Sequence, residues 1–189
     1  TAYEITYGDW SSACALPISA SCLLPYLGAA RSVLDVGCGP GVIVRAVSAL
    51  APHAEVYGID ASAHRVDTAR SVNAENPRVH IHHGSAARLP FPDNQFDLVY
   101  CRFLLQHLAE RVEAIAEMTR VCRPGGVVLL QDLDGQFLWH FPVDPYLEEG
   151  VRIVLECLAK AGFDPFIGRK LFALARRAGL SRSEEHTSE

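Results

Sequence analysis

The sequence predicts an α/β fold: a Rossmann-like, doubly wound, mostly parallel sheet with helices on both faces. Three observations predict it. Short apolar runs alternate with longer helical patterns, an order that calls for parallel strands joined by crossover helices. The first run, Val33-Leu34-Asp35-Val36, leads directly into the turn Gly37-Cys38-Gly39-Pro40-Gly41 and then into a helical stretch. The second run, Val56-Tyr57-Gly58-Ile59, ends on Asp60, 19 residues past Gly41. A glycine turn lets a ligand press on bare backbone at a helix N-terminus, and a carboxylate about twenty residues on suits ribose hydroxyls. The pair predicts a nucleoside-cofactor pocket.

The remaining elements follow in order. Ser62 stands at an N-cap position ahead of a helical run from Ala63 to Ala74. Val79 to His83 reads as the third strand and Phe96 to Tyr100 as the fourth. A helix is expected from about Ala109 to Val121, and Arg123-Pro124-Gly125-Gly126 then turns the chain into a fifth strand, Val127 to Leu130. Two helical stretches close the sequence, about Pro145 to Ala161 and Gly168 to Ala178, with the breaker Gly162-Phe163-Asp164-Pro165 between them.

Composition sets further bounds. A chain of 189 residues is one domain's worth, long enough for a substantial core. No apolar run approaches the ~20 residues of a membrane span, and no basic, apolar leader opens the chain. The net charge of −5, without a Lys/Arg stripe, provides no electrostatic footprint for nucleic acid. Six cysteines with no Cys-x-x-Cys pairing suit a reduced, cytoplasmic protein. His80 and His82 share one strand face, but no further ligand joins them at metal spacing, so a metal is not expected.

The turn itself narrows the cofactor. A dinucleotide fingerprint needs glycine at the first, third and sixth positions. Here the glycines fall at the first, third and fifth, and Val42 occupies the sixth, where close helix packing wants glycine. Leu34-Asp35-Val36-Gly37-Cys38-Gly39-Pro40-Gly41 closely resembles motif I of class I S-adenosylmethionine-dependent methyltransferases. The resemblance implies that Asp35, Gly37, Gly39 and Gly41 surround the methionine part and ribose of S-adenosylmethionine, with Asp60 on the ribose diol. It also puts Cys38, Ala61, Ser85, Ala86 and Cys101 among the cofactor contacts.

Further landmarks extend the resemblance over about residues 31 to 134. Gly84-Ser85-Ala86-Ala87-Arg88-Leu89-Pro90-Phe91-Pro92, followed by Phe96-Asp97, is similar to the small-molecule methyltransferases that include ubiquinone and menaquinone biosynthesis enzymes. Many of those carry Asp where this chain has Ser85, so the charge-assisted bond to the adenine amino group is replaced by a hydroxyl. Cys101-Arg102-Phe103-Leu104-Leu105-Gln106-His107-Leu108 is similar to the segment beside the sulfonium.

Methyl transfer from a sulfonium is an in-line displacement, for which a protein mainly supplies proximity and alignment. A general base is needed only for a protonated nucleophile. His107 is the best-placed candidate, against the plainer reading of a pocket-wall residue. Asp132 and Asp134, after the fifth strand, either face substrate or cap a loop. Phe137, Trp139, His140, Phe141 and Tyr146 suggest cover for an apolar acceptor, or simple packing. No Asn-Pro-Pro-Tyr follows the fourth strand, which argues against amino-group methylation of nucleobases or glutamine by carriers of that motif. A small-molecule acceptor is expected. The alternatives are a methyltransferase-like binding protein or inactive fragment and, with less support, an NAD-dependent oxidoreductase.

The expected organisation is an N-terminal segment over residues 1–30, the methyltransferase domain over 31–181, and a non-native tail over 182–189. The tail, Arg182 to Glu189, looks like translated sequencing adapter, and Ala15 to Ser19 resembles the reverse complement of one. On that reading the domain lacks its last two strands, and the fifth strand keeps an unpaired edge.

Overall fold

The computed structural model describes residues 18–135 and 142–180. The adapter-like segments and Phe137, Trp139, His140 and Phe141 therefore lie outside the described residues, Ile18 and Ser19 excepted. Five strands form one sheet: β1 (Ser32–Val36), β2 (Glu55–Asp60), β3 (Val79–His83), β4 (Phe96–Arg102) and β5 (Cys122–Gln131). Their spatial order is β3-β2-β1-β4-β5, and every pairing is parallel. Central strands of a parallel sheet are covered on both faces, hence the near-continuous apolar run of β1. Val33, Leu34 and Val36 are fully buried.

Helices lie on both faces, as the alternating pattern predicts. A 3-10 segment (Ile18–Leu23), the short α1 (Leu24–Leu27) and α2 (Val42–Leu50) cover one face. Leu23, Leu27, Val44 and Val47 there join Val33, Leu98 and Tyr100 in one apolar cluster. α3 (Ala63–Val72) packs beside α2 and over β2 and β3. On the opposite face α4 (Arg111–Val121) contributes Ile115, Met118 and Val121 to a second cluster with Leu34, Val36, Val99 and Cys101. α6 (Leu171–Arg177) packs against α4, while α5 (Pro145–Lys160) buries none of its side chains. Tyr146, on α5, is 90% exposed.

Several boundaries differ from expectation for identifiable reasons. α3 stops at Val72 because Asn73 leaves helical geometry and its Nδ2 bonds back to the Ala69 carbonyl at 2.9 Å. The last helical stretch divides into a 3-10 turn (Gly168–Lys170) and α6. β5 is longer than the predicted Val127 to Leu130. Cys122 already pairs with Phe96, and the ladder resumes at Val127 opposite Leu98, so the Arg-Pro-Gly-Gly turn becomes a bulge inside the strand. Gly126 permits this, since a Cβ there would stand 2.8 Å from the Asp97 carbonyl oxygen. Among the described residues no strand pairs with the outer edge of β5.

The amino edge of the sheet is tied by polar side chains. Asp97 Oδ2 accepts from the backbone N–H of Arg31 at 2.6 Å and of Ser32 at 2.9 Å, and Arg123 pairs with Oδ1. Those bonds hold the Asp97 carboxyl below its usual range although burial opposes them. The Leu-Pro-Phe-Pro run is anchored by α4. Arg120 donates to the carbonyls of Leu89 and Phe91 at 3.1 and 2.9 Å, and Glu117 accepts from the Leu89 N–H at 2.8 Å. Prolines have no N–H to give, so the carbonyls of this segment find a guanidinium instead.

Candidate functional site

The chain leaves β1 on one side toward β2 and β3 and returns on the other side as β4. Ligands in open α/β sheets bind at the carboxyl ends of the strands where the order reverses in this way. At that crevice the glycine turn is built from backbone bonds. The N–H groups of Gly37 and Cys38 donate to the Ile59 carbonyl at 2.8 and 3.1 Å, and Gly41 N–H donates to the Cys38 carbonyl at 3.1 Å. Gly37, Gly39 and Gly41 all adopt positive φ, +79°, +55° and +78°, a region that disfavours residues with a Cβ.

The three glycines have different surroundings. A Cβ on Gly37 would meet the Leu104 side chain at 2.9 Å. On Gly41 it would meet Ala69 Cβ and Asn73 Nδ2 on α3, both at 2.8 Å. Gly41 thus supplies the close helix packing that the dinucleotide pattern assigns to its sixth position, while Val42 is 52% exposed and packs nothing tightly. Gly39 has no neighbour within 4 Å of a built Cβ, so its face of the turn opens on free space.

Asp60 connects the turn to the carboxyl end of β2. Its Oδ2 accepts from the Gly39 N–H and its Oδ1 from the Ser62 N–H, both at 2.9 Å. Each oxygen retains a second lone pair for a ligand hydroxyl. Asp60 pairs with His83 in the β2–β3 register, and the Gly84 N–H donates to the Asp60 carbonyl at 3.0 Å. Ala61 and the Ser85-Ala86 pair therefore emerge together at this edge. Ser85 Oγ accepts from the Ala87 N–H at 3.2 Å, which shapes the loop locally. His83 Nε2 donates to the Ala61 carbonyl at 3.0 Å.

Asp35 lies beneath the turn, only 4% exposed. Burial raises its carboxyl to about 7, against the counter-effects of the Tyr100 hydroxyl and the Arg102 guanidinium. The Tyr100 hydroxyl is itself wholly buried and makes no hydrogen bond of ordinary geometry. Cys38 packs its thiol over Gly58, where a Cβ would stand 3.0 Å from Sγ. Cys101 is enclosed in the second cluster with no exposed surface. Burial pushes both thiols up, so they remain protonated packing groups. The five described cysteines form no disulfide.

Beyond β4 the chain bends sharply at Phe103, a non-glycine residue with φ +52°. Gln106, 4% exposed, accepts from the Asp164 N–H through its carbonyl at 2.9 Å and leaves its side-chain Oε1 without a partner. His107 is exposed, its ring edge-on to Phe163 with centroids 4.9 Å apart. Asp132 accepts from the N–H of Leu133 at 2.9 Å and of Gln106 at 3.2 Å, and burial raises its carboxyl. Asp134 instead pairs with Arg169 at 2.7 Å, which lowers its carboxyl and marks it as a loop tie. His80 bonds Glu55 at 2.7 Å, and His82 packs edge-on to Phe91 at 5.1 Å.

A second depression, of about 580 Å³, lies between Arg45 on α2 and the Ser71–Arg78 stretch. Its polar groups serve the fold. Asn76 donates to Ser48 Oγ at 2.9 Å, and Arg78 donates to the carbonyls of Ala51 and Ala54 at 3.1 and 3.0 Å. The chemistry concentrates at the crevice.

The crevice fits an adenosyl amino-acid cofactor on its own terms. Free space over Gly39 admits a ligand to bare backbone, and Asp60 presents acceptors beside it. A family model described as a methyltransferase domain matches residues 34–130, more than half of the chain. The chain belongs to the methyltransferase-domain family. Among the solved structures of similar fold, a phosphoethanolamine N-methyltransferase 2 of Haemonchus contortus, 20% identical with a TM-score of 0.65 and covering 85% of this chain and 36% of that one, is a complex with S-adenosyl-L-methionine.

The relatives agree. An uncharacterized methyltransferase of Schizosaccharomyces pombe is 32% identical over 178 residues, covering 88% of this chain and 62% of that protein. A demethylmenaquinone methyltransferase of Staphylococcus aureus is 41% identical over 97 residues, covering 51% of this chain and 40% of that protein. The YcgJ protein from Bacillus subtilis is 31% identical with a TM-score of 0.57, covering 73% of this chain and 57% of that one. This methyltransferase-domain chain spans about two fifths to three fifths of the length of the curated relatives it matches.

Proposed function

We propose that this chain forms the cofactor-binding part of an enzyme that moves the methyl group of S-adenosylmethionine to a small-molecule acceptor. One observation carries the reading: a turn of three positive-φ glycines, tied to Asp60 and open over Gly39, at the point where the strand order reverses. Bound there, S-adenosylmethionine supplies a sulfonium-activated methyl and its own leaving group. The protein's part is to bind, orient and align. Gly37, Cys38, Gly39 and Gly41 provide backbone against the ligand, Asp60 the ribose acceptors, and Ala61, Ser85 and Ala86 the adenine rim. Asp35 lies toward the methionine end. Cys101 acts from below, through packing, because it has no exposed surface.

No side chain is required as a catalyst when the nucleophile arrives deprotonated. For a hydroxyl or a weakly acidic carbon, exposed His107 is the base within this edge of the sheet. The small-molecule reading draws support from the likeness to demethylmenaquinone methyltransferase and from the chain's net negative charge. We place the protein in the cytoplasm, in keeping with its five disulfide-free described cysteines and the absence of a membrane-length apolar helix among the described residues.

The test is turnover. The chain is incubated with methyl-labelled S-adenosylmethionine and either a soluble naphthoquinol or a primary amine, and S-adenosylhomocysteine is quantified. Acceptor-dependent product supports the reading. A folded chain that binds cofactor yet yields none with either acceptor would favour the binding-protein alternative.

A further inference from the structure

Arg102 is a cation whose place at the crevice follows from sheet register. Asp35 pairs with Tyr100 and Val36 with Cys101 across β1 and β4, so Arg102 comes next, opposite Gly37. Side chains alternate along a strand. Tyr100 and Arg102 therefore share a face, the same face on which Asp35 extends from β1. That face thus carries a carboxyl, a buried hydroxyl and a guanidinium in succession, rising to the carboxyl edge beside the turn.

Arg102 is held in place. On its far side β5 pairs it with Gln131, whose Oε1 accepts from Arg102 Nε at 2.9 Å. The same oxygen accepts a thiol contact from Cys22 at 3.6 Å, so the N-terminal 3-10 segment borders this group. The Arg102 guanidinium carbon lies 5.2 Å from the centre of the Phe103 ring, on the residue that carries the strained φ. The charge is felt by Asp35, Tyr100 and Cys22 alike.

We propose that Arg102 is the carboxylate-binding residue for the amino-acid end of S-adenosylmethionine, with Asp35 across the β1–β4 boundary serving its ammonium. This rests on the cofactor reading above and gives Arg102 a role within it. The amino-acid end of the cofactor is a zwitterion, an ammonium and a carboxylate on one carbon. A site for it needs one anion and one cation a few ångströms apart, and a guanidinium matches a carboxylate in shape as well as charge. Asp35, a carboxyl raised to about 7 that a bound ammonium would ionise, and Arg102 both adjoin Gly37, where the methionine part of the cofactor is expected. A guanidinium kept in place by Gln131 loses less freedom on binding than a solvent-exposed one.

The experiment titrates the full chain with two ligand pairs, one of thioethers and one of sulfoniums, whose members differ at that end. S-adenosylhomocysteine has the whole amino-acid group; 5′-methylthioadenosine has none. Decarboxylated S-adenosylmethionine keeps the ammonium and sulfonium but lacks the carboxylate. Arg102→Gln should weaken S-adenosylhomocysteine at least tenfold and leave methylthioadenosine within twofold, with Arg102→Lys recovering part of the loss. In the unmutated chain, decarboxylated S-adenosylmethionine should bind at least tenfold more weakly than S-adenosylmethionine, which tests the site even if Arg102→Gln fails to fold. Equal loss for both thioethers in Arg102→Gln would make Arg102 a structural residue only and overturn the proposal. So would equal binding of the carboxylated and decarboxylated ligands. If the folded, unmutated chain binds none of them, the cofactor reading itself falls, a result distinct from either.

Discussion

The two edges of the sheet carry similar side chains and use them in opposite ways. At the amino edge, Asp97 collects two backbone N–H groups and Arg123, and Arg120 joins two carbonyls, Glu117 and Asp93. At the carboxyl edge, Asp35 is buried with its carboxyl raised to about 7, Tyr100 and Gln106 each leave a buried oxygen without a partner, and Phe103 is strained. Unpartnered atoms also occur elsewhere, at Asn73 and Gln95. What sets the carboxyl edge apart is that orphaned atoms, buried charge and strain coincide there. A carboxylate with completed bonds fastens a fold; one left incomplete among strained neighbours is where a ligand finishes the structure.

The glycine turn contains this contrast within five residues, and substitutions there should separate its halves. Gly41→Val forces a branched side chain into positive φ and onto Ala69, so it should cost about 3–5 kcal/mol in denaturant unfolding. Normal stability in that variant would contradict the packing role. Gly39→Ala meets no protein atom, so it should cost only the about 1–2 kcal/mol of its backbone while weakening S-adenosylhomocysteine at least tenfold.

Asp35 makes the contrast depend on pH. Its folded value lies above the ordinary 3.8, so the folded chain keeps a proton that the unfolded chain releases between about 4 and about 7. Stability contributed by this group therefore falls as pH rises through that window. Relative to Asp35→Asn, the unmutated chain should lose on the order of a few kcal/mol between about pH 5 and about pH 8, read from denaturation midpoints. Parallel curves for the two proteins would refute this.

Smaller effects sharpen the comparison. Arg120→Ala strips partners from the Leu89 and Phe91 carbonyls and from Glu117, and should lower stability by about 2 kcal/mol with cofactor affinity within twofold. A large affinity loss would mean that the amino edge is not merely structural. Tyr100→Phe removes an unsatisfied buried hydroxyl. Its stability should change by less than about 1 kcal/mol, yet amino-acid-bearing ligands should bind a fewfold more weakly than methylthioadenosine does by comparison.

The mostly parallel sheet and the glycine turn were legible in the sequence because both rest on local patterns: apolar runs, glycine spacing, and a carboxylate at the end of a strand. Three features were not. The role of Gly41 depends on α3, and spacing alone assigned that packing duty to the position held by Val42. The bulge in β5 depends on Asp97 lying behind Gly126. The anchoring of Leu89 and Phe91 depends on Arg120, some thirty residues away in sequence. Arg102 is a different case. Counting two residues on from Tyr100 along β4 sets it on the Asp35 face, a signal present in the strand alternation but meaningful only once the β1–β4 register is known.

The central claim is that the carboxyl edge is a cofactor site and the turn is its floor. Isothermal titration of S-adenosylhomocysteine and of NAD into the unmutated chain and Gly39→Ala tests it most directly. The account predicts micromolar binding of S-adenosylhomocysteine, none of NAD, and at least a tenfold loss in a folded Gly39→Ala. Unchanged affinity in that variant, or no binding by the folded unmutated chain, would contradict it.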